Sequence, residues 1–136
     1  MGVQAMGQET SGTTRSMDAG RKPIRASPIL ANERLARLLR DLSAGGRGEM
    51  VAAAREFRHI AGNGVSVSEA FLAFLAALRS GDRDIVHNLL WAVRYAKLNG
   101  ADISALQPTI EELRYSEEGT TRSLATLVLN TTPSAE

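Results

Sequence analysis

A chain of 136 residues with a formal net charge of +1 does not require a polyanionic partner, though it leaves room for a local basic patch. It has no cysteine, which excludes disulfides, thiolate metal sites and a cysteine nucleophile and fits a reducing compartment. Apolar residues make up 43% but aromatic ones only 4%, so a single domain's core must be built from Leu, Ala, Val and Ile, the material of packed helices. No run approaches the roughly 18 apolar residues of a membrane helix. No apolar signal segment opens the chain, and Met6 stands where a myristoylation signal wants Ser or Thr. The expected setting is the cytoplasm, with no membrane partner.

Residues 1–28 are rich in Gly, Ser, Thr, Gln and Arg and carry no helical or strand period. They are expected to form a disordered tail, or a docking arm that orders on a partner with Arg15, Arg21, Lys22 and Arg25 supplying charge. The domain is expected over 29–130, with 131–136 as a frayed end. A first helix over 28–43 begins at Pro28 with Ser27 as its cap and carries Leu35, Leu38, Leu39 and Leu42 as its apolar stripe. Gly45-Gly46 ends it. A second helix over 47–61 buries Met50, Ala53, Ala54, Phe57 and Ile60, and Gly62-Asn63-Gly64 stops it by offering left-handed backbone.

Ser66-Val67-Ser68-Glu69 reads as a capping box that opens a third helix over 66–79. Ser80-Gly81-Asp82 turns the chain into a fourth helix over 83–98, the longest and most apolar, with Asp82 as its cap. Asn99-Gly100 ends that helix. A fifth, over 103–115, has Asp102 or Ser104 as cap and tolerates Pro108 because the proline falls early. A sixth, over 119–130, carries Leu124, Leu127 and Val128. Turns of three to four residues within each pair force antiparallel neighbours.

The phrases Asn63-Gly64-Val65-Ser66-Val67-Ser68 and Asn99-Gly100-Ala101-Asp102-Ile103-Ser104 lie 36 residues apart. The same offset lays Arg47 on Arg83, Met50 on Val86, Phe57 on Val93 and Arg58 on Arg94. A period of that size signals stacked supersecondary units. The expected fold is therefore all-α: an α-solenoid of about three antiparallel helix pairs, in which each hairpin buries its flank on the next.

Leu106-Gln107-Pro108-Thr109-Ile110-Glu111-Glu112-Leu113, then Glu117-Glu118 and Thr121-Arg122-Ser123-Leu124-Ala125, resembles a HEAT-type repeat. The shared features are a proline in an apolar first helix, an acidic turn, and an arginine opening a second helix of small residues. Ser80-Gly81-Asp82-Arg83-Asp84-Ile85-Val86-His87 is similar to the same turn one repeat earlier. The resemblance covers about 66–130, and 30–61 more weakly. It implies a right-handed superhelical stack whose second helices form a concave, partner-binding face.

On a helical wheel the fourth helix puts His87, Trp91 and Tyr95 on one polar-side stripe with Arg94 beside them. The 36-residue equivalents of Trp91, Arg94 and Tyr95 are Arg55, Arg58 and His59, polar as an exposed row requires. The expected partner-binding strip is thus Arg55, Arg58, His59, His87, Trp91, Arg94 and Tyr95. Against this stands the reading that Trp91 is a buried or half-buried spacer between helices.

The strip suits a non-catalytic adaptor or accessory subunit that binds a protein partner or a larger complex. The alternative is a nucleic-acid-backbone binder using the same Arg and aromatic groups, with the near-zero net charge against it. Open end helices offer a route to self-association through Leu124, Leu127 and Leu129. The two histidines lack metal-motif spacing, and no phosphate loop, nucleophile elbow or zincin helix is present, so no enzyme and no cofactor are expected.

Overall fold

The computed structural model describes residues 31–133. The expected tail over 1–28, with Ser27 and Pro28, lies outside the described residues. Within them are six α-helices and no strand element: α1 Asn32–Ala44, α2 Arg47–Gly62, α3 Phe71–Leu78, α4 Arg83–Leu98, α5 Gln107–Leu113 and α6 Gly119–Asn130. The class is all-α, as composition and periodicity indicated. No helix among the described residues is long and apolar enough to cross a membrane.

The helices form two rows. In one, α1 packs on α3 and α3 on α5; in the other, α2 packs on α4 and α4 on α6, the α2–α4 seam being the most extensive. Each first-row helix also lies against the second-row helix that follows it. The second-row helices start at Arg47, Arg83 and Gly119, at successive steps of 36 residues, and α3 and α5 start the same distance apart at Phe71 and Gln107.

Local chemistry sets these boundaries. Asp82 caps α4, its carboxylate accepting the amides of Asp84 at 3.0 Å and Ile85 at 3.3 Å. Glu118 caps α6 by accepting the amide of Thr121 at 2.7 Å. Gly46 has no side chain to offer α2, and its own amide donates instead to Glu49 Oε1 at 2.9 Å.

At the other ends, α2 and α4 close with the same hydrogen bonds. The Val65 amide donates to the Ile60 carbonyl and Gly64 to Ala61; 36 residues on, Ala101 donates to Ala96 and Gly100 to Lys97. This double closure needs a left-handed residue, and Gly64 and Gly100 supply it at φ 85° and 92°.

Three boundaries differ from expectation. Helix α1 starts at Asn32, with Ala31 extended before it and no side-chain cap. The Ser66–Glu69 capping box does not form. The core takes Val67 at 1% exposure, and the chain winds through a 3-10 turn, Ser68–Ala70, before α3 proper begins. Helix α5 is shorter than 103–115. Asp102 accepts both the amide and the hydroxyl of Ser104, holding the chain in a separate turn, and residues 114–116 tighten to three-residue hydrogen bonds.

The core joins the rows. Phe57 of α2 and Phe74 of α3 are fully buried and meet edge to face with ring centres 5.1 Å apart, and Phe71 stands 5.6 Å from Phe74. Leu38, Leu42, Leu78, Leu89, Leu90, Leu106 and Ile110 are among the side chains buried with them. On the final helix Leu124 is buried and Leu129 half-buried, so of the three leucines assigned to an open end only Leu127 is exposed, at 37%. The α4–α6 packing takes the others inward. Thr131 is not frayed either: it is buried and its hydroxyl donates to the Leu127 carbonyl at 2.6 Å. Lys97 of α4 donates to the carbonyls of Val128 and Leu129, both at 3.1 Å, closing the C-terminal end of α6.

Candidate partner-binding groove

Because α2 and α4 start 36 residues apart and lie side by side, equivalent residues on them form one surface. Arg55, Arg58, His59, Gly62 and Asn63 from the α2 side and Asn88 and Tyr95 from α4 line an open groove of about 470 Å³. Arg55, Arg58 and His59 are exposed, and Tyr95 is half-buried. Gly62 admits the Tyr95 ring, which lies in contact distance of where a Cβ would stand. Four of the seven residues expected to form the strip are therefore brought together.

Trp91 and Arg94 lie beside the groove rather than in its wall. Trp91 is half-buried and packs on the core, the state that the spacer reading expects. Its ring centre is 5.9 Å from that of Tyr95, and the guanidinium carbons of Arg58 and Arg94 lie 5.2 and 5.7 Å from it. These are cation–π distances, so Trp91 holds Arg58 in the groove wall. Arg58 also donates to Asn88 Oδ1 at 3.3 Å, while Asn88 Nδ2 donates to the Asp84 carbonyl at 2.7 Å. The Nε of Arg94 is buried without a hydrogen-bond partner among the described residues. At the far end, His59 Nε2 and Asn63 Nδ2 are 3.3 Å apart.

The carboxylates near the groove are committed elsewhere. Glu56 faces α1, where Arg34 and Arg37 approach it at 2.7 and 3.3 Å. Asp82 and Asp84 pair with Arg47 at the opposite end of α4, the latter at 2.9 Å. No carboxylate pairs with Arg55, Arg58 or Arg94 among the described residues. The near-zero net charge of the chain does not reveal this, because the nearby carboxylates are taken up by other arginines.

His87 does not join the strip. One helical turn before Trp91, it reaches the start of α6, its Nε2 lying 3.1 Å from Glu118 Oε1 and 3.0 Å from Thr121 Oγ1. The wheel placed it on the stripe correctly, but the packing of α6 on α4 covers that part of the face. The Glu118 carboxyl is held down at about 2, first by the Thr121 amide, then by the Thr121 hydroxyl and His87.

A carboxyl whose folded pKa lies below its ordinary 4.5 contributes stability that is present above 4.5 and lost as pH falls toward 2. Glu118→Gln should therefore flatten the fall in thermal midpoint between those values. Some slope should remain, since Asp82 and Asp102 are also lowered, by Arg47 and Ser104 respectively. Unchanged steepness in the variant would show that the cap carries no charge-dependent stability.

The sequence missed Gly62, Asn63 and Asn88. Asn63 reads from the sequence as part of a helix stop, which it also is, and Asn88 flanks the aromatic pair on the polar arc without belonging to the expected strip. Among the described residues no three His, Asp or Glu side chains converge on a potential metal position. No protein-family model, curated protein or solved structure matches this chain.

Proposed function

We propose that the chain is a non-catalytic helical-repeat adaptor or accessory subunit of the HEAT-like kind, working in the cytoplasm. It binds a protein partner through the groove between its second-row helices α2 and α4. The observation that carries this reading is the convergence of Arg55, Arg58, His59 and Tyr95 on one open groove, backed by a tryptophan that braces its wall. The two-row packing and the 36-residue step of the helix starts support the repeat architecture.

Arg55 and Arg58 are the residues to change, because alanine at half-buried Trp91 and Arg94 would disturb packing as well as binding. Both are exposed, so Arg55→Ala with Arg58→Ala should move stability by no more than about 0.5 kcal/mol per site, apart from a similar cation–π loss at Arg58. A photo-crosslinking residue placed at position 55 should capture a defined polypeptide from native lysate, while one at exposed Arg40 on α1 should not. Capture should survive nuclease treatment and vanish on Arg58→Ala. Equal capture at both positions, or a product that nuclease removes, would overturn the groove as a protein site.

A further inference from the structure

Taking the groove as the partner site, as proposed above, we infer that it receives an acidic polypeptide segment, one with several Glu or Asp side chains close together in sequence. Its lining offers donors in excess of free acceptors: the guanidinium groups of Arg55 and Arg58, the Asn63 amide and the Tyr95 hydroxyl, while Asn88 is engaged with Arg58 and the Asp84 carbonyl. Neither arginine pairs with a carboxylate among the described residues. The acid next to them in sequence, Glu56, is turned to the α1 side, and Asp84 is held by Arg47. A partner's carboxylates would supply both the missing charge and the missing acceptors, two oxygens to each planar guanidinium.

The same groove is poorly built for a nucleic-acid strand. The Trp91 ring stands beside the groove rather than in its wall and is half-buried, with guanidinium carbons 5.2 and 5.7 Å from its centre, which leaves little open face for a base to stack on. Two lining arginines and one histidine fall well short of the roughly six to ten phosphate contacts of a strong backbone binder.

Trp91 is the chain's only tryptophan and touches groove residue Arg58, so its emission reports on the site. The purified chain is titrated with a glutamate-rich peptide, its glutamine counterpart and a single-stranded oligonucleotide of equal length. The glutamate peptide should change Trp91 emission and bind at least roughly tenfold more tightly than the glutamine one, the margin by which charge-assisted hydrogen bonds exceed neutral ones. Arg55→Glu with Arg58→Glu should abolish the effect, as should the milder Arg55→Gln with Arg58→Gln if reversal impairs folding.

Equal binding of the two peptides, no binding of either, or tighter binding of the oligonucleotide would overturn the acidic segment. The groove would then stand or fall on crosslinking at position 55. Undiminished peptide binding in both double variants would place the site elsewhere and overturn the groove reading as well.

Discussion

Phe57→Ala should cost about 3–5 kcal/mol of folding stability, a large part of the roughly 5–15 kcal/mol that a domain of this size possesses. Phe57 is fully buried and meets Phe74 edge to face, so its removal leaves a cavity where the two rows join. Only 4% of the chain is aromatic, and no neighbouring ring of similar size is free to fill the gap. Phe57→Leu keeps more of the volume and should cost clearly less. Urea unfolding is the measurement: the midpoint should fall while the slope stays unchanged. A loss below about 1 kcal/mol for the alanine variant would mean that α2 and α3 do not share a close-packed junction.

Gly64→Ala and Gly100→Ala should each destabilise by about 1–2 kcal/mol, the cost of holding a Cβ-bearing residue in left-handed backbone. Both glycines sit at positive φ, and an added Cβ at either meets nothing within 4 Å, so the cost is one of conformation and not of collision. The two values should agree closely because the turns share one hydrogen-bond pattern. Gly48→Ala is the control. Gly48 lies in the first turn of α2 with open space around it, and alanine there should stabilise by up to about 1 kcal/mol through helix propensity. Opposite signs for the same substitution would separate the backbone effect from any general response to a methyl group. Matching signs at Gly48 and Gly100 would show that the Asn-Gly turns do not require left-handed geometry.

The helices that proved legible are those with a period and a punctuated end. Asn63-Gly64 and Asn99-Gly100 told where α2 and α4 stop, and Asp82 told where α4 begins, because caps act through hydrogen bonds over a few residues. The starts of α3 and α5 were misjudged where a local signal met a competing demand. Ser66-Val67-Ser68-Glu69 has the form of a capping box, yet burial of Val67 draws the backbone into a 3-10 turn. Burial of Ile103 and Leu106, with Ser104 tied to Asp102, likewise holds the chain out of α5 until Gln107.

The site divides the same way. That Arg55, Arg58 and His59 on α2 and Tyr95 on α4 hold equivalent positions follows from a 36-residue offset and a 3.6-residue turn, both properties of the sequence by itself, while the packing of α2 on α4 joins them into one surface. That His87 leaves this face for Glu118, that Trp91 is half-covered, that Leu124 turns inward and that Asn63 and Asn88 join the groove depended on which helices pack together. The sequence determined an all-α class for the described residues, with helix starts at a 36-residue step and a row of polar and basic positions, since period, caps and turns are short-range physics. Only the tertiary structure decided which part of that row stays open, because exposure is set by neighbouring helices dozens of residues away along the chain.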